Sequence, residues 1–423
     1  MTKSMTWRQL LAVLVFLPAI VSGQSAPNIA FINGHWFDGT GFRDRAMYSE
    51  AGVLRGRRRV RIDSTVDLHG LFVVPPFGEA HNHNVEFFGV ARAQAIVARY
   101  LHDGVFYDQN PLTIPPARDQ MRPYVNTPRG VDATFAVGGL TATGGHPTGL
   151  FLRNLKAGVF TAADSDGGLL WVIDSLGDLD RKWARILADR PDFIKAFLLY
   201  SEEFDKRKSD SAYFNWRGLD PALLPEIVRR AHEAGLRVMC HIESAADFHN
   251  AVAAGVDQII HMPGFRGNEQ GHMPSADRYI ISDGDASAAA RKRIVVVTTL
   301  QAGSASAAAR GDTVERERFD SLHTVNLRSL ARHNVTIAIG TDNYRATSVP
   351  EANYLQQLGV FSNVELLRMW TVATPRAIFP TRRIGRLDDG YEASFLGLEG
   401  NPLDDFSNTA RIALRVKQGV ILP

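Results

Sequence analysis

Pro75-Pro76-Phe77-Gly78-Glu79-Ala80-His81-Asn82-His83-Asn84 sets two histidines on either side of one asparagine, directly after the apolar run Leu71-Phe72-Val73-Val74. Side chains two apart on a strand point to the same face, so both imidazoles can converge on one point. Two convergent imidazoles suggest a metal ion. His-x-His is weak evidence by itself, and the rest of the chain has to supply further ligands. Four more groups of ligand type sit at or near the ends of apolar runs. Lys195 lies within Phe193-Ile194-Lys195-Ala196-Phe197, and His241 closes Val238-Met239-Cys240. His261 closes Ile259-Ile260, and Asp342 follows Ile339-Gly340-Thr341. Taken singly, each histidine reads more readily as a hydrogen-bonded core residue and Lys195 as a strand-edge lysine. Six such groups at strand ends are hard to ascribe to chance.

The elements that would have to position them are short apolar runs alternating with longer amphipathic segments, the pattern of parallel strands joined by helices. Eight strands are expected: Leu71 to Pro75, Gly104 to Asp108, Ala133 to Val137, Phe193 to Leu199, Arg237 to His241, Gln258 to His261, Ile294 to Thr298 and Thr336 to Gly340. Helical patterns such as Pro221 to Ala234, Ala245 to Ala254 and Val314 to His333 lie between them. The sequence therefore predicts an α/β fold with a (β/α)8 TIM-like barrel over 71–381, whose active site would sit at the carboxyl ends of the strands. A doubly wound open sheet is the competing arrangement, but no Gly-x-Gly-x-x-Gly turn follows the first strand, so dinucleotide binding is unsupported. Residues 24–70 and 382–423 read as short β-like pieces that would pair into a small β-sandwich domain formed from both chain ends.

Composition sets further limits. With 423 residues, 45% apolar and 22% charged, the chain can bury a large core. Lys3 and Arg8 precede the apolar stretch Leu10 to Val21, and Val21-Ser22-Gly23 supplies small residues before Gln24. This is the pattern of a secretory signal peptide over 1–23. Its removal turns the formal charge of +2 into 0. A neutral chain gives no electrostatic case for nucleic acid or for an anionic membrane, and after cleavage no stable anchor is expected. Cys240 is the only cysteine, so no internal disulfide can form. Nothing in the sequence excludes an oligomer.

In chain order, His81-x-His83, Lys195, His241, His261 and Asp342 resemble the metal-dependent amidohydrolase superfamily, specifically its binuclear members with a carboxylated lysine. Asn33-Gly34-His35-Trp36-Phe37-Asp38-Gly39 looks like the family's opening strand pair, and Ile384-Gly385-Arg386-Leu387 to Asn401-Pro402-Leu403 like its closing β-segment. Thr141-Ala142-Thr143-Gly144-Gly145-His146 is similar to a loop of the imidazolonepropionase-like and prolidase-like branch. The usual Pro-Gly before the first strand end is Pro75-Pro76 here, and Glu79 stands where Asp is commoner. The resemblance implies two divalent metals, with zinc expected. His81 and His83 with Asp342 would hold the deeper one, His241 and His261 the more exposed one, and Lys195, carboxylated by carbon dioxide, would bridge them. Charge supports that assignment. Two metals bring +4, which an ammonium on Lys195 would only worsen in a low-dielectric pocket, whereas a carbamate, Asp342 and a bridging hydroxide leave +1.

The implied activity is hydrolysis of an amide or related C–N bond, with Asp342 shuttling the proton from the attacking water to the leaving amine. His146, in its Gly-rich loop, is expected to hydrogen-bond the carbonyl or oxyanion. Tyr200, Arg266 and Arg345 lie just beyond the fourth, sixth and eighth strands and are candidates to bind a substrate carboxylate, although a packing or surface role fits each at least as well. The expected substrate is a small peptide-like or N-acyl amino-acid amide. Cyclic amidase, lactonase or phosphotriesterase chemistry on the same site is the alternative, and a non-catalytic metal-binding barrel a lesser one. The leader implies a periplasmic or secreted enzyme, and N-terminal sequencing of protein from its native host should find a chain beginning near Gln24. An intact Met1 in the cytoplasmic fraction would contradict this.

Overall fold

The structure is a computed structural model that describes residues 26–85, 90–158, 161, 165–268, 272 and 275–423. The leader expected over 1–23 lies outside the described residues. Among the described residues no helix is long and apolar enough to cross a membrane.

Among the described residues, eighteen strands follow one another. The first five are β1 (Ile29–Phe37), β2 (Phe42–Glu50), β3 (Val53–Arg55), β4 (Ser64–Asp67) and β5 (Phe72–Val74). Ten more run through the middle: β6 (Phe77–Glu79), β7 (Val105–Thr113), β8 (Asp132–Val137), β9 (Gly139–Thr141), β10 (Leu170–Val172), β11 (Ile194–Phe197), β12 (Val238–His241), β13 (Gln258–Ile260), β14 (Val295–Val297) and β15 (Thr336–Ala338). The last three are β16 (Phe395–Leu398), β17 (Ile412–Lys417) and β18 (Val420–Leu422).

The two flanks of the chain do combine. Strands β18, β17, β16, β5, β1, β2 and β3 lie side by side in one sheet, with β4 added on β1. This β-rich domain takes in Leu71 to Pro75, expected as the first barrel strand, because β5 pairs with β1 and β16 instead. Pro75-Pro76 offers no backbone N–H, so the ladder ends there and the chain leaves the sheet. The first barrel strand is therefore β6.

Parallel pairing then runs from β6 to β7 to β8, and from β9 through β11, β12, β13 and β14 to β15. Gly138 separates β8 from β9 at φ 73, and a Cβ there would stand 2.5 Å from the Trp171 indole nitrogen. Only glycine fits that left-handed, closely packed corner. The result is a TIM-like barrel whose strands are buried on both faces, as their Val- and Ile-rich runs require. Strand β7 extends past the expected Asp108 to Thr113, carrying Asp108, Gln109 and Asn110 into the interior. Apolar periodicity could not reveal a buried strand with polar side chains.

Helices return the chain between strands, and their ends are set locally. Ala245–Ala254 starts from a capping box of Ser244 with Asp247 and stops at Gly255, whose φ of 80 ends the turn. No strand ladder joins β15 to β6. Single backbone bonds draw the two ends together: Ala80 N donates to Ile339 O at 2.9 Å and Asp342 N to His81 O at 2.9 Å. Gly340 makes this approach possible, since a Cβ there would sit 2.9 Å from His81 N.

The β-rich domain is tied to the barrel by a buried ion cluster. Lys417 Nζ donates to Asp132 Oδ1 at 2.7 Å, and Arg382 Nη2 reaches both Asp132 Oδ2 at 2.8 Å and Glu392 Oε2 at 2.7 Å. Asp132 and Lys417 are fully enclosed. Removing one partner strands a buried charge, so Asp132→Ala should lower stability by about 3 kcal/mol in urea unfolding. An unchanged midpoint would show that the cluster holds nothing together.

Candidate functional site

The strand ends bring His81, His83, His146, Lys195, His241, His261, Arg266 and Asp342 around one cavity of about 170 Å³. Leu112, Pro147, Leu150, Arg153, Phe197 and Tyr344 complete its wall. The six groups expected as ligands are thus all in one place.

Their rings interlock. His81 lies 5.1 Å from His83 and 4.8 Å from His261 between centroids, and His261 lies 4.5 Å from His241. Asp342 Oδ1 stands 3.7 Å from His81 Nε2 and 3.6 Å from His83 Nε2. One ligand atom from each of His81, His83 and Asp342 falls within 4.8 Å of the others, a spacing that could hold a metal ion. Burial is the largest cause holding all four imidazoles in the neutral form, His83 down to about 3 and the others well below the usual histidine range. The neutral ring is the form that ligates a metal. Burial likewise raises the Asp342 carboxyl to about 6, against the pull of Lys195 and Arg266.

Lys195 is the anomaly. Its side chain is 1% exposed, among the described residues its amine has no hydrogen-bond partner, and the Phe197 ring is 5.1 Å away. Burial brings its pKa down to about 7, only partly opposed by Cys240 and Asp342. An unbonded buried amine is costly. Together with the unpartnered Nδ1 of His81, it marks a donor set that fits divalent metal ions and is not satisfied by protein atoms alone.

Neighbouring groups fix which ring nitrogens face inward. Thr299 Oγ1 is 2.6 Å from His261 Nδ1, leaving Nε2 for the cavity. Thr299 has a left-handed backbone at φ 85, rare for a β-branched residue. The Glu351 carboxylate holds it there by accepting the backbone N–H groups of Thr299, Leu300 and Gln301. Glu243 Oε1 is 3.1 Å from His241 Nε2 and also accepts from Arg266 Nη2, leaving His241 Nδ1 for the cavity. Such outer partners orient ligating imidazoles and set their tautomers. His261 at φ 72 and Asp342 at φ 51 are also left-handed, the kind of strain that gathers at functional sites.

Glu79 closes the seam. It accepts from Thr341 N at 2.8 Å, Thr341 Oγ1 at 2.7 Å and His81 N at 3.3 Å, clamping the His81 strand end to the Asp342 strand end where no ladder does so.

Two of the expected substrate residues stand elsewhere. The Tyr200 hydroxyl donates to Gly267 O at 3.2 Å, and its ring lies between the Arg207 and Arg278 guanidinium groups, each 4.2 Å away. Arg345 is exposed outside the cavity wall. Arg266 does line the cavity, but its guanidinium is committed to Glu243 and lies over Trp216 at 4.9 Å. His146 is where its loop was expected to put it, stacked on His241 at 4.8 Å with Nδ1 buried and unbonded. Sequence reading passed over Glu243, Thr299, Glu351 and Arg153. Glu243, two residues after His241, and Thr299, just past a strand end, carry the only positional signals that could have found any of them.

The profile of the Amidohydrolase family matches residues 152–422, more than half of the chain. This chain belongs to the amidohydrolase family. Among relatives, ochratoxinase of Aspergillus niger is 26% identical over 201 residues, which is 45% of this chain and 38% of that protein, so the match spans well under half of the relative's length. Among solved structures, the crystal structure of A. niger ochratoxinase superposes with a TM-score of 0.70 at 18% identity, covering 94% of this chain and 96% of that one. A Xaa-Pro dipeptidase with methionine bound in its active site gives 0.69 at 16%, covering 93% and 99%. At these identities the superpositions speak to the fold of this amidohydrolase alone.

The Glu79 clamp has a measurable consequence. Glu79→Gln turns an amide N–H₂ toward donors that need an acceptor, so stability should fall by about 1–3 kcal/mol. Metal affinity, read by competition with a chromophoric chelator, should fall by about 10- to 100-fold. Unchanged affinity would mean the clamp does not position the ligands.

Proposed function

We propose that this amidohydrolase is an exported, metal-dependent enzyme that hydrolyses an amide or related C–N bond of a small peptide-like or N-acyl amino-acid substrate. The single observation that carries the reading is the Lys195 amine, buried among neutral imidazoles and, among the described residues, without a hydrogen-bond partner. His81, His83 and Asp342 would hold one divalent ion and His241 and His261 a second, zinc being suited to such nitrogen and oxygen donors. When bound, the ions would polarise the scissile carbonyl and lower the pKa of a water from about 15.7 toward 7.

Every other part belongs to the chain. The Lys195 amine, once deprotonated, adds to carbon dioxide. A nitrogen–carbon bond forms as one C=O π pair of carbon dioxide moves onto oxygen, the nitrogen's proton passes to solvent, and the resulting carbamate has two oxygens where the amine had none. The Asp342 carboxylate takes a proton from the attacking water and returns it to the departing amine nitrogen. A deprotonated Asp342 at neutral pH is consistent with a carboxyl raised only to about 6. His146, neutral and stacked on His241, donates to the oxygen that becomes negative as the carbonyl turns tetrahedral. Thr299 and Glu243 hold the rings of His261 and His241 in one tautomer through the reaction. A small cavity with apolar Leu112, Leu150 and Phe197 in its wall suits a small substrate. The name of the Xaa-Pro dipeptidase that shares the fold points the same way.

Purified, metal-loaded protein screened against dipeptides, N-acyl amino acids, lactones and phosphotriesters should cleave an amide. Turnover of lactones or phosphotriesters alone would overturn the amide reading. Lys195→Ala should reduce bound metal from about two ions per chain to about one or none and abolish most activity. A variant that keeps two ions and near-normal turnover would make Lys195 an ordinary strand lysine.

A further inference from the structure

Two arginines reach the cavity, and only one is spoken for. Arg266 is paired with Glu243, so its charge is already balanced. Arg153 lines the same cavity from the helix Thr148–Lys156, and among the described residues its guanidinium makes no ion pair or hydrogen bond. Its placement is built. Pro147, Leu150 and Arg153, three residues apart, all line the cavity, so this face of the helix is turned to the site. The helix start is fixed by Gly149 N donating to Asn215 Oδ1 at 2.7 Å, and the loop before it by His146 N donating to Arg217 O at 2.8 Å. The positive charge of Arg153 is felt at the His146 ring.

We propose that Arg153 receives the carboxylate of an anionic amide substrate and selects it over neutral amides. This rests on the amide-hydrolysis reading above and names its substrate class. A planar guanidinium with five donors matches a carboxylate in two parallel bonds. With His146 in the loop placed for the reacting carbonyl and the more exposed Arg153 on the helix that follows, the carboxylate end of the substrate would point toward the mouth. The apolar walls Leu112, Leu150 and Tyr344 would take its side chain. Arg345, expected for this role from its place after the eighth strand, is outside the cavity.

The test compares N-acetyl-L-leucine with N-acetyl-L-leucinamide on the metal-loaded full chain. Acetate release is followed for each, and binding is measured separately by calorimetry. Wild-type protein should prefer the acid, and Arg153→Ala should cut that preference about tenfold, chiefly through KM and Kd, the low end for a hydrogen-bonded ionic contact because Arg153 is exposed. Arg153→Lys should restore part of it. Equal losses on both compounds would mean that Arg153 only supports the helix, and a wild-type protein that binds the acid no better than the amide would overturn the proposal outright. Arg153-dependent binding of the acid without acetate release would sustain the subsite while the amide-hydrolysis reading fails.

Discussion

Four imidazoles, an amine and a carboxylate share the mouth of one barrel, and protein atoms alone cannot satisfy them. Among the described residues, Lys195 Nζ and His81 Nδ1 have no hydrogen-bond partner although both are buried. Leaving such groups bare costs on the order of 1–3 kcal/mol each, which bound metal or water would offset. Burial keeps the imidazoles neutral, the form that ligates a metal, and draws the lysine pKa down to about 7.

Much of the surrounding structure serves to keep these groups where they are. The barrel has no ladder between its first and last strands, yet His81 and Asp342 sit on opposite sides of that seam. Glycine at 340 lets the backbones approach, and the Glu79 carboxylate binds both sides at once. At the next strand ends the same logic recurs with different groups. Glu351 secures a strained Thr299, which orients His261, and Arg266 secures Glu243, which orients His241. Strain of about 1–3 kcal/mol per left-handed residue is sustained because these contacts over-determine the geometry.

That His81, His83, Lys195, His241, His261 and Asp342 meet at one cavity is legible in the sequence because each lies in or just past an apolar run, and the ends of parallel strands meet at one barrel mouth. The barrel and the joining of the two chain ends into a β-rich domain followed from the same patterns. What stayed hidden has physical reasons. Strand β5 looks like the others, and only its pairing partners, distant in sequence, place it in the terminal sheet. Strand β7 continues past the expected Asp108 and buries Gln109 and Asn110, which a hydrophobic pattern reads as a loop. Tyr200 and Arg345 also follow strand ends, but the first is held by Gly267 O and two guanidinium groups and the second faces solvent. Arg153 sits on a helix, where distance from a strand end along the chain says nothing about distance from the cavity.

The central claim is that Lys195 carries a carbamate shared by two ions. A crystal structure of the metal-loaded protein, with anomalous scattering recorded at the metal edge, tests it most directly. The account predicts two anomalous peaks, one among His81, His83 and Asp342 and one at His241 and His261, with density extending beyond Lys195 Nζ to both. A single ion at His81, His83 and Asp342 beside an unmodified lysine would contradict it.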